Sequence, residues 1–318
     1  MRKFPEPPKI CPVCQKEEQF RSIKNYQDRY DKFSLFECEF CKVQFWVPFK
    51  SPGNEWYEKK DDFRVRNALK PKIYRDYHKK FLKLHKNSLQ NKKVLDIGCG
   101  SGEFIAELQK RGCEVWGVDF DNNLIKIANE KFNLKRVWAM SFNDFFQKSN
   151  LPRFDVITFF EVIEHLNNPL EFIKNVKKIL EPTGKIILST PSRERLLVNL
   201  ARWDFPPHHL TRWNREAISN LFQKVNFRIS YIDYLEQFKF LLSAVNEKFR
   251  IGFVNKTADF SESRKETKIF VKIVSLGAIL KEYLIGIIPA SFLWGISKAI
   301  KRKGGTMFIE LYENNKNN

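Results

Sequence analysis

Four of the six cysteines form two C-x2-C pairs near the start of the chain, Cys11 with Cys14 and Cys38 with Cys41, and 23 residues separate the pairs. Four thiolates at this spacing suit a tetrahedral zinc site, because each pair can sit in a short turn and present two sulfurs to one ion. A site with four protein ligands has no open position, so we expect a structural ion. Packed thiols without a metal are the alternative.

A glycine-rich turn, Gly98-Cys99-Gly100-Ser101-Gly102, follows a short apolar strand pattern and leads directly into a helical pattern. Glycines let a ligand approach the backbone closely, and the free N–H groups of the next helix face that ligand. The second predicted strand ends in Asp119, 21 residues after Gly98. An acid near this spacing binds the ribose hydroxyls of an adenosine cofactor. An ordinary turn and a solvated acid are the alternative.

Three of the five histidines follow predicted strands of the same sheet: His165 comes after the fourth strand, and His208 and His209 come after the fifth. Ligands bind at the carboxyl edge of a parallel sheet, where such loops lie. We therefore select these three as candidates for a general base, with packing contacts as the alternative. His78 and His85 are expected on the surface of a helix.

Strand and helix patterns alternate from residue 92 to residue 235, which is typical of βαβ units around a parallel sheet. We predict an α/β fold with a Rossmann-like, doubly wound, seven-stranded sheet. The predicted organisation is a zinc-ribbon-like module at 1–50, a helical linker or lid at 51–91, the core at 92–235, a helical insertion at 236–303, and the last core strand and tail at 304–318.

The net charge of +19 over 318 residues would fit an anionic partner. The basic residues are scattered, however, and Lys, Asn, Phe and Ile are abundant throughout, which favours a compositional bias. In the insertion, the apolar stretch 283–296 is shorter than the about 20 residues of a bilayer span. We expect the insertion to cap the substrate site, with peripheral membrane contact through 283–303 as the alternative. The N terminus lacks a signal-peptide pattern, which predicts a cytoplasmic protein, membrane-associated on the cytoplasmic face if that contact forms.

Four segments together resemble the class I S-adenosylmethionine-dependent methyltransferases: VLDIGCGSG at 94–102, VWGVDFD at 115–121, FDVITFFEVIEHL at 154–166 and LEPTGKIILSTP at 180–191. The resemblance implies S-adenosylmethionine as the cofactor. It also implies site roles: Asp96, Gly98, Cys99 and Gly100 around the methionine end, Gly102 closing the loop, Asp119 at the ribose, Phe120 against the adenine, and Glu161 beside the methyl group. Ser141 and Phe142 lie where the family often has an acid for the adenine amine, here replaced by serine.

The resemblance implies methyl transfer to an oxygen or carbon of a small molecule. The cysteine module, followed by the run 46–48 and by Trp56-Tyr57, more loosely resembles methyltransferases of sugar and surface-polysaccharide biosynthesis, so we expect a sugar, glycan or lipid-linked acceptor. An RNA methyltransferase is less favoured, because Phe160-Glu161-Val162 stands in place of the Asn/Asp-Pro-Pro-aromatic motif of enzymes that methylate base amino groups. A non-catalytic S-adenosylmethionine-binding scaffold is a further alternative. The G-x-G-x-G spacing disfavours a nicotinamide oxidoreductase.

Overall fold

The computed structural model describes residues 3–17, 19–28, 31–53, 75–196, 204–235, 291–292, 294–296 and 304–314. The chain divides into two compact units. The first comprises Met1–Pro191, Phe205–Asp233 and Met307–Asn318, and the second comprises Ser192–Asp204 and Tyr234–Thr306. In the described part of the second unit, the amide of Ser192 donates to the carbonyl of Gly305 at 2.9 Å. Arg195 forms a buried ion pair with Asp204 there.

The strands within the described residues are β1 Phe20–Gln27, β2 Lys32–Cys38, β3 Gln44–Val47, β4 Lys93–Ile97, β5 Glu114–Asp119, β6 Val137–Ala139, β7 Phe154–Phe160, β8 Leu180–Pro191, β9 Thr211–Arg212, β10 Phe227–Leu235 and β11 Thr306–Glu313. The α-helices are α1 Asp76–Leu84, α2 Glu103–Lys110, α3 Asn122–Phe132, α4 Phe142–Phe146, α5 Pro169–Lys178 and α6 Arg215–Gln223. A 3-10 helix, Ile163–His165, follows β7.

The central sheet has seven strands in the order β6-β5-β4-β7-β8-β11-β10. The pairs β5/β6, β4/β5, β4/β7 and β7/β8 are parallel. The inner strands read as continuous apolar runs because both of their faces are buried, as in β4 with Val94, Leu95 and Ile97. This topology confirms the predicted Rossmann-like α/β fold. The strand order reverses between β4 and β7, and ligands bind at such a switch point, outside the carboxyl ends of the strands.

A smaller antiparallel sheet lies in the N-terminal part of the first unit, in the order β1-β2-β3-β9. Its first three strands come from the predicted zinc-ribbon-like module. The fourth strand is β9, from the loop after β8, which pairs Thr211 with Phe45 and Arg212 with Gln44. The sequence pattern placed these two residues in a loop, since a strand of two residues has no recognisable periodicity. The core of this sheet consists of Phe33, Leu35, Trp46 and Phe205.

Two predicted helical regions fall partly outside the described residues: residues 54–74 of the first and most of the second. For the linker at 51–91, the described part contains α1. For the insertion at 236–303, residues 291–292 and 294–296 are helical and exposed, and Phe292 is 71% exposed. Among the residues that the structure describes, no helix is both long enough and apolar enough to cross a membrane.

Candidate active site and metal centre

The glycine-rich turn connects β4 to α2 at the switch point of the central sheet. The amides of Gly98 and Cys99 donate to the carbonyl of Val118 at 2.7 and 3.1 Å, which folds the turn back onto the end of β5. Gly98 has a φ of 79°, and a Cβ there would lie 2.8 Å from Val162, just beyond β7. Gly100 has a φ of 53°, but a Cβ there would meet nothing within 4 Å. The turn is therefore packed at its start and open at Gly100, as a ligand cradle requires.

Asp119 lies at the carboxyl end of β5, where the sequence predicted a ribose-binding acid. Its two carboxylate oxygens accept hydrogen bonds from the amides of Gly100 and Asp121, both at 2.9 Å. Burial raises the pKa of Asp119, and these backbone donors oppose that rise. A carboxylate has about four acceptor sites, so this one retains capacity for hydroxyl donors. Phe120, beside it, is 39% exposed, which leaves its ring accessible to a ligand.

Asp96 is buried in β4, and its carboxylate accepts a 2.6 Å hydrogen bond from the hydroxyl of Thr158 on β7. Burial raises the pKa of Asp96 to about 7, and the nearby charge of Asp119 adds to the rise. Cys99 is also buried, which raises the pKa of its thiol well above the usual range and keeps it protonated. The strand that leads into the glycine-rich turn thus holds an acid whose pKa burial brings close to neutral pH.

We predict that Asp96→Asn stabilises the donor-free protein and that the gain grows with pH. In the unfolded chain this acid ionises near pH 4, whereas in the folded chain its pKa is about 7. Folding therefore loses about 1.4 kcal/mol per pH unit from about pH 4 to pH 7, and nothing more above pH 7. Asparagine does not ionise, so it removes this pH-dependent loss of stability. Its side-chain oxygen can still accept the hydrogen bond from the hydroxyl of Thr158. Urea denaturation between pH 5.5 and 8 measures the difference.

Asp155→Asn is the matched control for this prediction. Burial tends to raise the pKa of Asp155, but hydrogen bonds from the Lys92 side chain and the Lys93 amide outweigh it and lower the pKa. The Asp155 substitution should therefore lose stability by a constant amount between pH 5.5 and 8, because this carboxyl is ionised in both the folded and the unfolded chain above about pH 4, and the loss should shrink only at lower pH. Equal pH dependence in both variants would contradict the burial argument for Asp96.

Ser141 and Phe142 form the first turn of α4. The hydroxyl of Ser141 accepts from the amide of Asp144 at 3.1 Å and donates to its carboxylate at 2.6 Å, so Ser141 caps the helix. Phe142 is buried, and its ring centroid lies 4.9 Å from that of Phe172. Asp144, which the sequence analysis did not select, is therefore the carboxylate that the Ser141 hydroxyl contacts.

Glu161 begins the loop after β7 and has a φ of 56°. A residue other than glycine in this conformation stores about 1–3 kcal/mol of strain, and such residues cluster at functional sites. Its carboxylate accepts from the hydroxyl of Ser189 at 2.8 Å, and its amide donates to the carbonyl of Ser189 at 2.9 Å. Glu161 is thus held at the carboxyl ends of two adjacent strands, on the β7 side of the switch point.

The structure brings His165, His208 and His209 together, and we call these three residues the histidine cluster. Their ring centroids lie 4.4–4.8 Å apart. Nδ1 of His165 lies 2.7 Å from the carbonyl oxygen of His208, and because a carbonyl can only accept, Nδ1 donates. Burial lowers the pKa of His165 well below its usual range, and His209 and His208 lower it further. His165 is therefore a neutral imidazole that carries its proton on Nδ1.

The four cysteines of the two pairs are buried and none forms a disulfide. The sulfurs of Cys11 and Cys41 lie 3.9 Å apart, as do those of Cys14 and Cys38. Four thiolates at about 2.3 Å from a tetrahedral zinc ion lie about 3.8 Å from one another, so the observed spacing fits zinc. Hydrogen bonding to the Cys11 thiol lowers the pKa of Cys14 to about 7. A bound cation would favour the ionised form of all four thiols.

Tight turns present the sulfurs of each pair. The residues that follow the pairs, Gln15 and Lys42, have φ values of 58° and 60°. Their amides donate to the carbonyls of Cys11 and Cys38, both at 2.9 Å. Glycine is frequent where the backbone is left-handed, but here the turn closes without it.

The small sheet and the histidine-bearing loop are joined by backbone hydrogen bonds and by ring packing. The amide of Trp46 in β3 donates to the carbonyl of Leu210 at 2.9 Å, and the amide of Leu210 donates to the carbonyl of Glu164 at 2.8 Å. The ring of Phe205 lies 5.6 Å from that of Trp46. The cysteine module therefore supports the loop that carries His208 and His209.

Several residues around the site were not selected from the sequence. Thr158 donates a hydrogen bond to the carboxylate of Asp96, and Ser189 donates one to that of Glu161. The sequence feature that could have identified both is a hydroxyl residue within an otherwise apolar strand. The expectation that His78 is a surface residue was wrong: its ring stacks on Phe104 with centroids 4.5 Å apart, and burial lowers its pKa to about 3. His85 is largely buried as well and pairs with Glu310 at 3.0 Å.

The fold defines the class of protein: a seven-stranded Rossmann-like methyltransferase fold with a glycine-rich turn at its switch point. Residues 69–232 match the family described as methyltransferase domain, which is about half of the chain. The chain belongs to this family.

Curated relatives share the core. The ubiquinone biosynthesis O-methyltransferase of Histophilus somni (strain 2336) is 29% identical over 152 residues, covering 46% of this chain and 62% of that protein. The protein of the same name from Actinobacillus pleuropneumoniae serotype 7 (strain AP76) is 31% identical, covering 46% and 63%. The match therefore spans less than two thirds of these relatives.

Among solved structures, a SAM dependent methyltransferase from Archaeoglobus fulgidus is similar with a TM-score of 0.48 and 17% identity, over 81% of this chain and 99% of that one. Magnesium protoporphyrin IX methyltransferase from Synechocystis PCC 6803, solved with bound SAM, gives a TM-score of 0.41 and 16% identity, over 57% of this chain and 86% of that one.

Proposed function

We propose that this protein transfers the methyl group of S-adenosylmethionine to a hydroxyl oxygen of a small molecule. The observation that carries the proposal is a juxtaposition at one sheet edge. The open glycine turn with Asp119 lies on one side of the switch point, and the loop that leads from Glu161 to the histidine cluster lies on the other. A donor site and a candidate acceptor-activating group then flank the same crevice.

The donor half follows the predicted roles. Asp96, Gly98, Cys99 and Gly100 surround the methionine end, Gly102 closes the loop, Asp119 holds the ribose hydroxyls, Phe120 covers the adenine, Ser141 and Phe142 border it, and Glu161 lies beside the methyl group. S-adenosylmethionine, when bound, supplies a methyl group activated by its sulfonium. The residues of this chain have to position the acceptor in line with that group, and positioning can contribute about 7–11 kcal/mol at best.

In the acceptor half of the site, a group has to accept the proton that the acceptor hydroxyl loses. As the acceptor oxygen forms its bond to the methyl carbon, the carbon–sulfur bond breaks and its electron pair stays on sulfur, so the hydroxyl proton must leave. Three imidazoles meet at this position, and imidazole is the most frequent general base in enzymes, which supports a base role for at least one of them. Such proton transfer contributes about 10²–10⁴ to the rate.

The acceptor is a hydroxyl compound of sugar, glycan or lipid-linked type in this proposal. The looser resemblance of the cysteine module to polysaccharide-modifying methyltransferases supports that class. The relatives named ubiquinone biosynthesis O-methyltransferase support methylation of an oxygen. Phenols are therefore the acceptor class to test beside sugars and glycans. The spacing of the four sulfurs supports a structural zinc ion in the module.

We predict that His209→Ala lowers the turnover number by about 10²–10⁴ and leaves the dissociation constant of S-adenosylmethionine within about threefold. The acceptor is first found by transfer of a radiolabelled methyl group to panels of nucleotide-sugars, lipid-linked glycans, phenols and RNA. Calorimetry then measures donor affinity for each variant.

His85→Gln is the control, because His85 lies outside the cluster and glutamine can retain a hydrogen bond to Glu310. It should leave turnover within about twofold, because it changes neither the histidine cluster nor the glycine-rich turn. Labelling of RNA alone, or full turnover by the His209 variant, would contradict the proposed acceptor chemistry.

A further inference from the structure

The histidine cluster has the composition of a metal site. Each of its three members offers one ring nitrogen, and these nitrogens all lie within 4.8 Å of one another. Imidazole favours zinc, copper, nickel and iron over magnesium and calcium, which prefer oxygen. Three histidine ligands leave a fourth position open in tetrahedral geometry, as catalytic zinc sites do. The cluster therefore differs in kind from the closed four-cysteine site.

The backbone around the cluster orients one of these ligands. The Nδ1–H of His165 donates to the carbonyl of His208 at 2.7 Å, which leaves Nε2 as the lone-pair nitrogen. Metal-binding histidines characteristically donate their other ring N–H to a carbonyl or carboxylate, because this bond fixes the tautomer and the ring orientation. The same bond ties the 3-10 helix after β7 to the loop that carries the other two ligands.

Two further contacts hold the ligands on a rigid frame. The amide of Leu210 donates to the carbonyl of Glu164 at 2.8 Å, and the amide of His208 donates to the carbonyl of Phe205 at 3.2 Å. Each of the three histidines is therefore itself hydrogen-bonded through its backbone or directly adjacent to a residue that is. Zinc–nitrogen bonds of 2.0–2.1 Å require nitrogens about 3.3 Å apart, so an ion has to draw the ring nitrogens closer by up to about 1.5 Å. This rearrangement makes the site weaker than the four-cysteine site.

We propose that the histidine cluster binds a divalent ion of the zinc type, with one coordination position left for the acceptor oxygen. The inference deepens the proposed function and rests on it for the identity of that oxygen. A bound hydroxyl loses its proton more readily, because the ion stabilises the resulting anion. The proton then passes to solvent, and the oxygen attacks the methyl carbon as described above. Without the ion, an imidazole has to take the proton itself.

Cobalt titration of the full-length protein tests the proposal, after zinc has filled the four-cysteine site and a mild chelator has emptied weaker sites. We expect one equivalent of Co²⁺ to bind with visible d–d absorption but without the near-ultraviolet charge-transfer band that thiolate ligands produce. His165→Ala, His208→Ala and His209→Ala should each weaken this binding at least 100-fold. His85→Gln should bind cobalt like the parent.

The results distinguish this inference from the proposed function. A parent protein that binds no cobalt beyond the four-cysteine site would overturn the metal proposal, as would cobalt binding that survives all three alanine variants. The parent spectrum decides this even if a variant fails to fold. If chelated protein still methylates its acceptor at full rate, the metal inference fails while methyl transfer stands. If calorimetry finds no donor binding, the proposed function fails whatever the cobalt result.

Discussion

Gly100→Arg is expected to weaken S-adenosylmethionine binding more than 100-fold while the protein stays folded. A Cβ at Gly100 meets nothing within 4 Å, so an arginine side chain starts in open space in the predicted donor cradle. A hundredfold loss corresponds to about 2.7 kcal/mol. The left-handed backbone at this position costs an arginine about 1–2 kcal/mol, which lowers the melting temperature by a few degrees. Calorimetry with the donor and its demethylated product, together with thermal melts, measures both effects.

Gly53→Arg is the matched control for the backbone strain. Gly53 has a φ of 85°, and a Cβ there also meets nothing within 4 Å, but it lies after the cysteine module and away from the donor loop in sequence. The melting temperature of the Gly53 variant should fall by a similar few degrees, and its affinity for the donor should equal that of the parent. Donor binding by the Gly100 variant within threefold of the parent would remove the donor site from this turn.

Cys38→Ser is expected to remove one zinc ion, lower the melting temperature by more than 10 °C and reduce turnover about 100-fold. A structural zinc site supplies about 10–16 kcal/mol in small zinc-finger peptides, which is comparable with the stability of a whole domain. Losing the ion unfolds the small sheet, and β9 and Leu210 then lose their partners in β3. A displacement of about 1 Å in a catalytic group can cost 100-fold in rate. Donor affinity should stay within threefold, because the glycine turn and Asp119 belong to the central sheet.

Elemental analysis, thermal melts and donor calorimetry on the same preparation measure these effects. Cys113→Ser is the control: Cys113 is buried outside the cluster and its thiol donates to the carbonyl of Leu89 at 3.2 Å, a bond that serine can keep. It should retain its zinc and its turnover. A Cys38 variant that keeps its zinc, or that loses zinc without losing turnover, would break the proposed link between the module and the histidine-bearing loop.

The glycine-rich turn and the acid of the proposed donor half could be located from the sequence because each depends on local structure. Gly98, Gly100 and Asp119 each follow a strand directly, and the alternation of strands and helices defines the edge of the sheet to which they belong. The two C-x2-C pairs are local in the same sense, because each turn holds both of its sulfurs. Cys11 and Cys38 are 27 positions apart. The sequence still predicts that they lie close together, because a tetrahedral zinc site needs the thiolates of both pairs.

The acceptor half could not be predicted in the same way because it depends on packing between distant segments. Sequence reasoning selected His165, His208 and His209 separately, but not their contact, since His208 lies 43 positions after His165. It also placed Thr211 and Arg212 in a loop, because two residues cannot reveal a strand that exists only by pairing with β3. The surface expectation for His78 was wrong for a related reason: the aromatic rings that bury it come from α2 and β7.

The sequence by itself determined the α/β fold, the glycine turn, the acid after β5 and the four-sulfur module, because backbone conformation and ligand spacing encode each of them within a few residues. Only the tertiary structure decided that the module extends its sheet into the loop after β8 and that three histidines share one place. Those features arise from hydrogen bonds and ring contacts between segments far apart in the chain, which no local pattern records.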